Sequence, residues 1–474
     1  MYKGIINKEK SMTKETKGIY DARELGTPKM LILGLQHLFA MFGATVLVPI
    51  ITGLSVSVTL LFAGLATLFM HLVTNGKVPV FLGSSFAFLG GYATIKAVGM
   101  DAGYSEATSL AYACVGISCA GLVYLILAFI CKVAGSKRVM TFFPPVVTGP
   151  IIIAIGLTLA PSALNNCATN WPIALVAIAV VIIANIWGRG MIKIIPILLG
   201  VVASYMVAAF TGNVDFTAVK EAAWIGVPIR WESAGLSVFT GGNTDWGLIL
   251  TSIITIVPIA FATMMEHIGD ISAIGGTVNR NYIEDPGLHR TLIGDGVGTA
   301  VAAMFGAPAN TTYGENTGVL ALTKVYDPKV VRFAAVYAII LSFSPKFAGI
   351  IEAMPAATIG GVSIILYGMI SAIGIRNMVE NKTNFQESRN VIIAALIIGL
   401  AIGINFSTAL GCVYDGATTI AGGISFNIGS MSVKLSGLAV ASIVGILLNA
   451  ILPGRDSDFG DNPNETLASS LGKY

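Results

Sequence analysis

Long apolar runs separated by short polar breaks recur along this chain from residue 30 to residue 452. The pattern predicts fourteen membrane segments, with cores at 30–52, 56–74, 84–97, 105–131, 140–160, 171–187, 192–211, 247–275, 290–307, 315–324, 330–353, 357–374, 390–405 and 433–452. Two of these are too short to cross a bilayer. From Phe86 to Lys96 is ten residues and from Glu315 to Lys324 is nine. At 1.5 Å per residue that is ~14–15 Å, about half of a ~30 Å hydrocarbon core. Helices that begin at the midplane leave free N–H groups and a positive dipole end there, a construction that secondary transporters use for substrate sites. The stretch 212–245 reads as an external loop, with Trp224 and Trp231 placed for the membrane interface. Residues 406–432, rich in Gly, Ser and Thr, carry no assignable element.

Composition settles the class. Of 474 residues, 55% are hydrophobic and only 11% charged, with a mean hydropathy of +0.80. A soluble domain carries about 25% charged residues, so this chain reads as a polytopic membrane protein. A net charge of +3 gives no reason to expect nucleic acid as a partner. The five cysteines (Cys114, Cys119, Cys131, Cys167 and Cys412) lack metal-ligand spacing and read as small apolar fillers. Residues 1–28 are polar and basic and lack the apolar core of a signal peptide. They and residues 454–474 are expected to be cytosolic tails. With both tails inside, 23 of the 28 Lys and Arg fall on the inner side, only Lys96, Lys220, Arg230, Lys346 and Lys434 lying outside. Misplacing one span would destroy that bias.

The chain also resembles itself. Gln36-His37 reappears as Glu266-His267, 230 residues on; Ser84-Ser85-Phe86-Ala87 as Thr311-Thr312-Tyr313-Gly314, 227 on; and Pro145-x-x-Thr148 as Pro355-x-x-Thr358, 210 on. Seven spans separate the partners, and an odd number inverts the second copy. Two inverted seven-segment repeats follow, which bring the two short helices together from opposite sides.

Four acids lie at apparent membrane depth: Glu266, Asp270, Asp295 and Glu315. A charge there costs about 2.5–3.5 kcal/mol, so each needs a reason. Glu266 and Asp270, at i and i+4, share one helix face, with no Lys or Arg at their depth to pair with. Glu315 opens the second short helix, where a carboxylate is either a helix cap or a ligand group. Asp295 lies near the inner end of its segment and either solvates that end or serves the site. Phe86, at the start of the first short helix, is either core filler or a ring that stacks on a flat ligand. Gly83 and Gly314 allow backbone to approach a ligand. Tyr313 stands opposite Phe86 in the repeat, Ser85 adjoins Phe86, and Tyr367 is placed to face the site from the other bundle. His37 and His267 fit helix packing better than ligation.

Carboxylates accept N–H donors, free backbone N–H groups donate to carbonyls, and an aromatic face takes a planar ring. A small, flat, neutral heterocycle such as a nucleobase satisfies all three. A carboxyl group in apolar surroundings can carry a proton near neutral pH, which suggests proton symport. A channel or an anion exchanger is the rival reading. This chain lacks the central Lys or Arg that would suit an exchanger, and saturable counterflow separates a carrier from a pore. Nothing reads as an enzyme or calls for a cofactor: nucleophile–base pairs, metal sets and phosphate loops are missing from the sequence.

At these residues the chain resembles the nucleobase/ascorbate transporter family, in particular its bacterial uracil permease branch. The likeness runs from about residue 30 to 453. It is carried by Gln36-His37-Leu38-Phe39-Ala40-Met41-Phe42-Gly43-Ala44-Thr45, Leu82-Gly83-Ser84-Ser85-Phe86-Ala87-Phe88, Glu266-His267-Ile268-Gly269, Asp285-Pro286-Gly287-Leu288-His289-Arg290 and Asn310-Thr311-Thr312-Tyr313-Gly314-Glu315-Asn316. The resemblance implies an all-α membrane fold whose third and tenth segments carry short β-strands. It implies a core domain (29–133 and 245–353), a gate domain (134–212 and 354–453), the external loop 213–244, a bacterial cytoplasmic-membrane location and a possible homodimer. It further implies that Glu266 and Glu315 accept hydrogen bonds from the base, that Phe86 packs on its ring, that backbone at Phe86 and Gly314 meets its carbonyls, and that Tyr313 and Tyr367 line the site. Two departures stand out. Asp270 replaces a His and Asp295 an Asn, which resembles the purine-carrying branches, whereas Glu315-Asn316 replaces the Gln-Asn associated with xanthine and uric acid carriers. Uracil leads as the expected substrate, xanthine or a broader nucleobase range follows, and Glu266, Asp270 and Asp295 are the expected proton-coupling groups.

Overall fold

A computed structural model of the chain describes residues 18–454 apart from 241–243, 416–417, 421 and 429–430. The expected tails at 1–17 and 455–474 lie outside the described residues. The fold is mostly helical, and its helices fall on the apolar runs of the sequence: Thr27–Thr52, Val56–Val73, Leu89–Asp101, Glu106–Ala134, Pro145–Ala168, Trp171–Ile186, Pro196–Phe210, Leu288–Met304, Gly314–Thr323, Pro328–Ser342, Ala356–Glu380, Ser388–Phe406 and Gly437–Ile451, together with Trp246–Val278. Among the described residues seven helices are long and apolar enough to cross a membrane. An eighth joins them if Pro328–Ser342 and Pro345–Glu352, bent by 90°, make one span.

Local chemistry sets the ends of these helices. Ser55, Ser105, Asp245 and Ser436 each accept a hydrogen bond from a backbone N–H in the first turn of the helix they precede, satisfying donors that have no partner inside the helix. Pro28, Pro145 and Pro196 occupy first-turn positions where a missing N–H costs nothing. In Trp246–Val278 the turn Val257–Ile259, which contains Pro258, tightens to a 3-10 helix before the chain reaches Glu266.

The helices pack closely. Pro145–Ala168 lies along Ala356–Glu380, Glu106–Ala134 along Leu288–Met304, and Val56–Val73 along Pro328–Ser342. A side chain on Gly121 would put its Cβ 2.6 Å from the carbonyl oxygen of Gly296, so two backbones meet there as small residues allow in membrane helix pairs. Outward faces remain apolar: Leu122, Ile126, Phe129 and Val133 form one exposed stripe on Glu106–Ala134, spaced as a single helix face and suited to lipid.

Two expectations need correction. The segment 84–97 does not start as a helix. Leu82–Ser84 is a strand, and the helix begins at Leu89, because the Ser85 N–H donates to the Ala309 carbonyl (2.8 Å) and keeps the chain extended there. The unassigned stretch 406–432 and the start of the expected span at 433 hold two antiparallel hairpins, Val413–Asp415 with Thr418–Ile420 and Gly423–Ile428 with Met431–Ser436, so the last helix starts only at Gly437. The β-branched and aromatic residues of this stretch suit strands, a preference hidden among its glycines and hydroxyls.

Candidate functional site

Strand β1 (Leu82–Ser84) and strand β2 (Asn310–Thr312) pair antiparallel, Leu82 opposite Thr312 and Ser84 opposite Asn310. All six residues are buried. Each strand is pinned by a threonine from a neighbouring helix. The Thr67 hydroxyl accepts from the Leu82 N–H at 2.9 Å and reaches the Leu82 carbonyl at 3.4 Å. The Thr299 hydroxyl accepts from the Asn310 N–H at 3.1 Å and donates to the Asn310 carbonyl at 3.2 Å. Sequence reasoning missed this pair of clamps. Thr67 and Thr299 are 232 positions apart, close to the offsets of the internal repeat, and that signal would have found them.

Each strand leads into a short helix. Leu89–Asp101 has 13 residues and Gly314–Thr323 has 10, about 20 and 15 Å at 1.5 Å per residue. Glu315 is the second residue of the latter, where its carboxylate faces the positive end of the helix dipole. A Cβ on Gly314 would lie 3.8 Å from Asp270 Oδ1 and 4.0 Å from Ile373 Cδ1. Ile373 is on the helix Ala356–Glu380, which also carries Tyr367. The Tyr367 ring meets the Phe86 ring edge-on, with centroids 5.6 Å apart and planes at 75°. Glu266 lies within electrostatic range of Asp295 and Glu315, and Asp270 within range of Glu266, Glu315 and Asp295. The structure therefore brings Phe86, Glu266, Asp270, Gly314, Glu315 and Tyr367 to one place. Glu266, Asp270, Gly314 and Glu315 are partly open, whereas Phe86 and Tyr367 are buried. Among the described residues no Lys or Arg forms an ion pair with Glu266, Asp270 or Glu315.

The other expected site residues stand one layer back. The Tyr313 hydroxyl donates to the Ser84 carbonyl. Ser85 is fully buried and its hydroxyl bonds to no described residue. Asp295 Oδ2 is 3.0 Å from His267 Nδ1, with both side chains wholly buried, and the same nitrogen is 3.0 Å from Thr312 Oγ1. His37 also braces the site: the Asn316 amide donates to the His37 carbonyl at 3.0 Å and lies 3.1 Å from His37 Nδ1. Both histidines thus tie helices to the strand-and-helix units.

The arrangement offers carboxylates for N–H donors, helix-start N–H groups for carbonyl oxygens and an aromatic pair as a wall. A family model described as a permease family matches residues 28–410. The chain is 39% identical to the uracil permease of Bacillus caldolyticus over 473 residues, covering 96% of this chain and 100% of that protein. It is 37% identical to the uracil permease of Bacillus subtilis (strain 168) over 460 residues, covering 94% of this chain and 97% of that one. The transmembrane domain of a cyanobacterium bicarbonate transporter, BicA, shares the fold with a TM-score of 0.60 at 14% identity, over 91% of this chain and 99% of that one.

Proposed function

Because this chain belongs to the nucleobase/ascorbate transporter family of permeases, in its uracil permease branch, we propose that it is a proton-coupled symporter that imports uracil by alternating access. It is a multi-pass transporter and not an enzyme. Glu266 and Glu315 accept the ring N–H groups of the base, backbone at Phe86 and Gly314 meets its carbonyls, and Phe86 covers its face with Tyr367 behind. The single observation that carries this reading is the pairing of β1 with β2, which holds the strand that leads to Phe86 against the strand that leads into the helix start at Glu315.

In this proposal the chain makes fourteen crossings in two inverted repeats, the short helices being half-crossings, with both termini cytosolic. Matched packing supports the repeat. Glu106–Ala134 on Leu288–Met304 mirrors Pro328–Ser342 on Val56–Val73. Trp171–Ile186 on Pro196–Phe210 mirrors Ser388–Phe406 on Gly437–Ile451. Residues 29–133 and 245–353 form the moving core and residues 134–212 and 354–453 the gate. Protons ride on the acids: Glu266 and Asp270 at the base, Asp295 behind them.

A second reading, xanthine or a broader range of bases, is favoured by the acids at Asp270 and Asp295. The test is counterflow of labelled uracil in proteoliposomes, competed by unlabelled bases and by bicarbonate. Uracil is expected to compete best, and Glu315→Gln to abolish the signal. Better displacement by xanthine would move the assignment to purines, and undiminished counterflow in Glu315→Gln would remove Glu315 from the site. Accumulation that survives collapse of the pH gradient would refute proton coupling.

A further inference from the structure

The N-terminal segment that precedes the first long helix does not run free. Ile19 forms a parallel bridge with Val325, just past the end of the short helix Gly314–Thr323. Its N–H donates to the Lys324 carbonyl at 2.8 Å, and its own carbonyl accepts from the Tyr326 N–H at 2.8 Å. Tyr20 reaches a second element: its hydroxyl donates to the Val278 carbonyl at 2.8 Å, at the last residue of the helix that carries Glu266 and Asp270. The Arg280 guanidinium sits 4.5 Å above the Tyr20 ring, whose other neighbour is Tyr326 at 5.3 Å. The Ala22 N–H then donates to Asp327 Oδ2 at 2.8 Å. Ala22 and Val325 share a small apolar core with Met30 and Val330.

We propose that Gly18–Leu25 is a strap whose Ile19 and Tyr20 position Glu315 against Glu266 by fixing the far ends of the two helices that carry them. The half-helix needs such a hold. Its start is fixed by the β1–β2 pair, but a helix of 10 residues has little face to bury. Lys324, which caps it, has a positive φ of 55°. The strap satisfies the Lys324 carbonyl and the Tyr326 N–H, groups that otherwise lack a backbone partner. Ile19 grips the chain nine residues beyond Glu315, about 14 Å along the helix axis. Tyr20 fixes the Glu266 helix from the same strap, so a shift of one carboxylate relative to the other must break it. Displacements of about 1 Å at a binding group are enough to cost function. The partners named above all lie within 29–133 or 245–353, Met30 in the first range and the others in the second. The strap therefore moves with the proposed core and does not bridge it to the gate.

The inference rests on the reading that Glu266 and Glu315 hold the base, and its test separates the two. Hydrogen exchange by mass spectrometry is measured on the purified full chain without substrate, and uracil binding by calorimetry on the same samples. Ile19→Pro deletes the N–H donor. Exchange over 314–326 is expected to accelerate about tenfold while that over 106–134 stays as in the native chain, and the uracil Kd is expected to rise about three- to tenfold. Ile19→Val, which keeps the N–H, is expected to match the native protein. Tyr20→Phe, which loses one oxygen and keeps the ring over Arg280, is expected to give the same pattern more weakly and serves if Ile19→Pro does not fold. Native exchange over 314–326 in both Ile19→Pro and Tyr20→Phe, or faster exchange with an unchanged Kd, overturns the positioning role. If the native chain binds no uracil, the substrate reading falls, and the exchange data alone decide whether the strap holds the half-helix.

Discussion

The hydroxyl of Tyr313 donates to the carbonyl oxygen of Ser84 across 2.9 Å, so the residue that opens one short helix holds down the strand that opens the other. The Tyr313 ring lies where a Cβ on Gly83 would sit. Glycine at 83 is therefore required by the close approach of a ring, not by a turn. Gly83→Ala forces the ring or the strand to move, and we expect loss of uracil binding with poor recovery of folded protein on size-exclusion chromatography. Tyr313→Phe keeps the ring but leaves a buried carbonyl unpaired, which costs about 1–3 kcal/mol. A lowered thermal midpoint with transport partly retained is the expected result. An unchanged midpoint would mean that the bond contributes nothing.

Asp270 lies beside Gly314 and one helical turn from Glu266. In the proposed site that puts it next to the base without the helix-start position of Glu315. Asp270→Asn keeps shape and hydrogen bonding while removing the titration. Uracil binding should persist within about threefold, while gradient-driven accumulation falls about tenfold or more, roughly 1.4 kcal/mol less gradient energy stored in the uracil ratio. Loss of binding in a well-folded variant would show that Asp270 contacts the base itself.

The helices were legible because apolar runs and polar breaks are physical requirements of lipid. The short helix at Gly314 was legible because Pro308 and Gly314 bracket a polar run within apolar sequence, and Gly314–Thr323 falls within a residue of the stretch marked from the sequence alone. The start of the first short helix was not: Phe86 looks helical by pattern, and only the partner strand supplies the Ala309 carbonyl that keeps Ser85 extended. The pairing of Glu266 with Asp270 followed from their i, i+4 spacing, and their grouping with Glu315 from the family resemblance. The Thr67 and Thr299 clamps and the Tyr20–Val278 bond did not, because a hydroxyl that satisfies backbone far along the chain leaves no local pattern. The hairpins between 413 and 436 were hidden for a similar reason, their pairing depending on register and not on hydrophobic period.

His267 Nδ1 and Asp295 Oδ2 lie 3.0 Å apart with neither side chain reaching solvent. Removing the imidazole leaves the Asp295 carboxyl buried with no described neighbour to meet it, and a buried polar group left unpaired typically costs about 1–3 kcal/mol. His267→Ala is therefore expected to lower the thermal midpoint more than Asp295→Asn, which keeps shape and a hydrogen-bonding group. Because Thr312 also touches His267 Nδ1, the damage should spread to β2 and raise the uracil Kd in His267→Ala. Equal midpoints for the two variants would argue that the contact is not a structural pair.

Among the strap's titratable side chains, Asp21 lies outside the membrane segments and is held by a neighbour. The Arg23 guanidinium, bonded to both Asp21 oxygens at 2.9 and 3.0 Å through Nε, holds the Asp21 carboxyl well below its ordinary value of 3.8. The Arg23 side-chain bond is the main cause, with the Arg23 backbone N–H second. A depressed carboxyl contributes stability that is present above its unfolded value and is lost only as pH falls through the lower folded value. Between pH 5 and pH 8, then, Asp21 stays ionised. Its carboxylate is partly exposed, so salt screens much of what it contributes. We expect exchange over 314–326, corrected for the intrinsic pH dependence of exchange, to be the same at pH 5.5 and pH 7.5, and Asp21→Asn to shift it by less than Ile19→Pro does. Exchange that loosens at pH 5.5 in the native chain and not in Asp21→Asn would show that the strap senses protons after all, and would move part of the pH response from the site to the N-terminal segment.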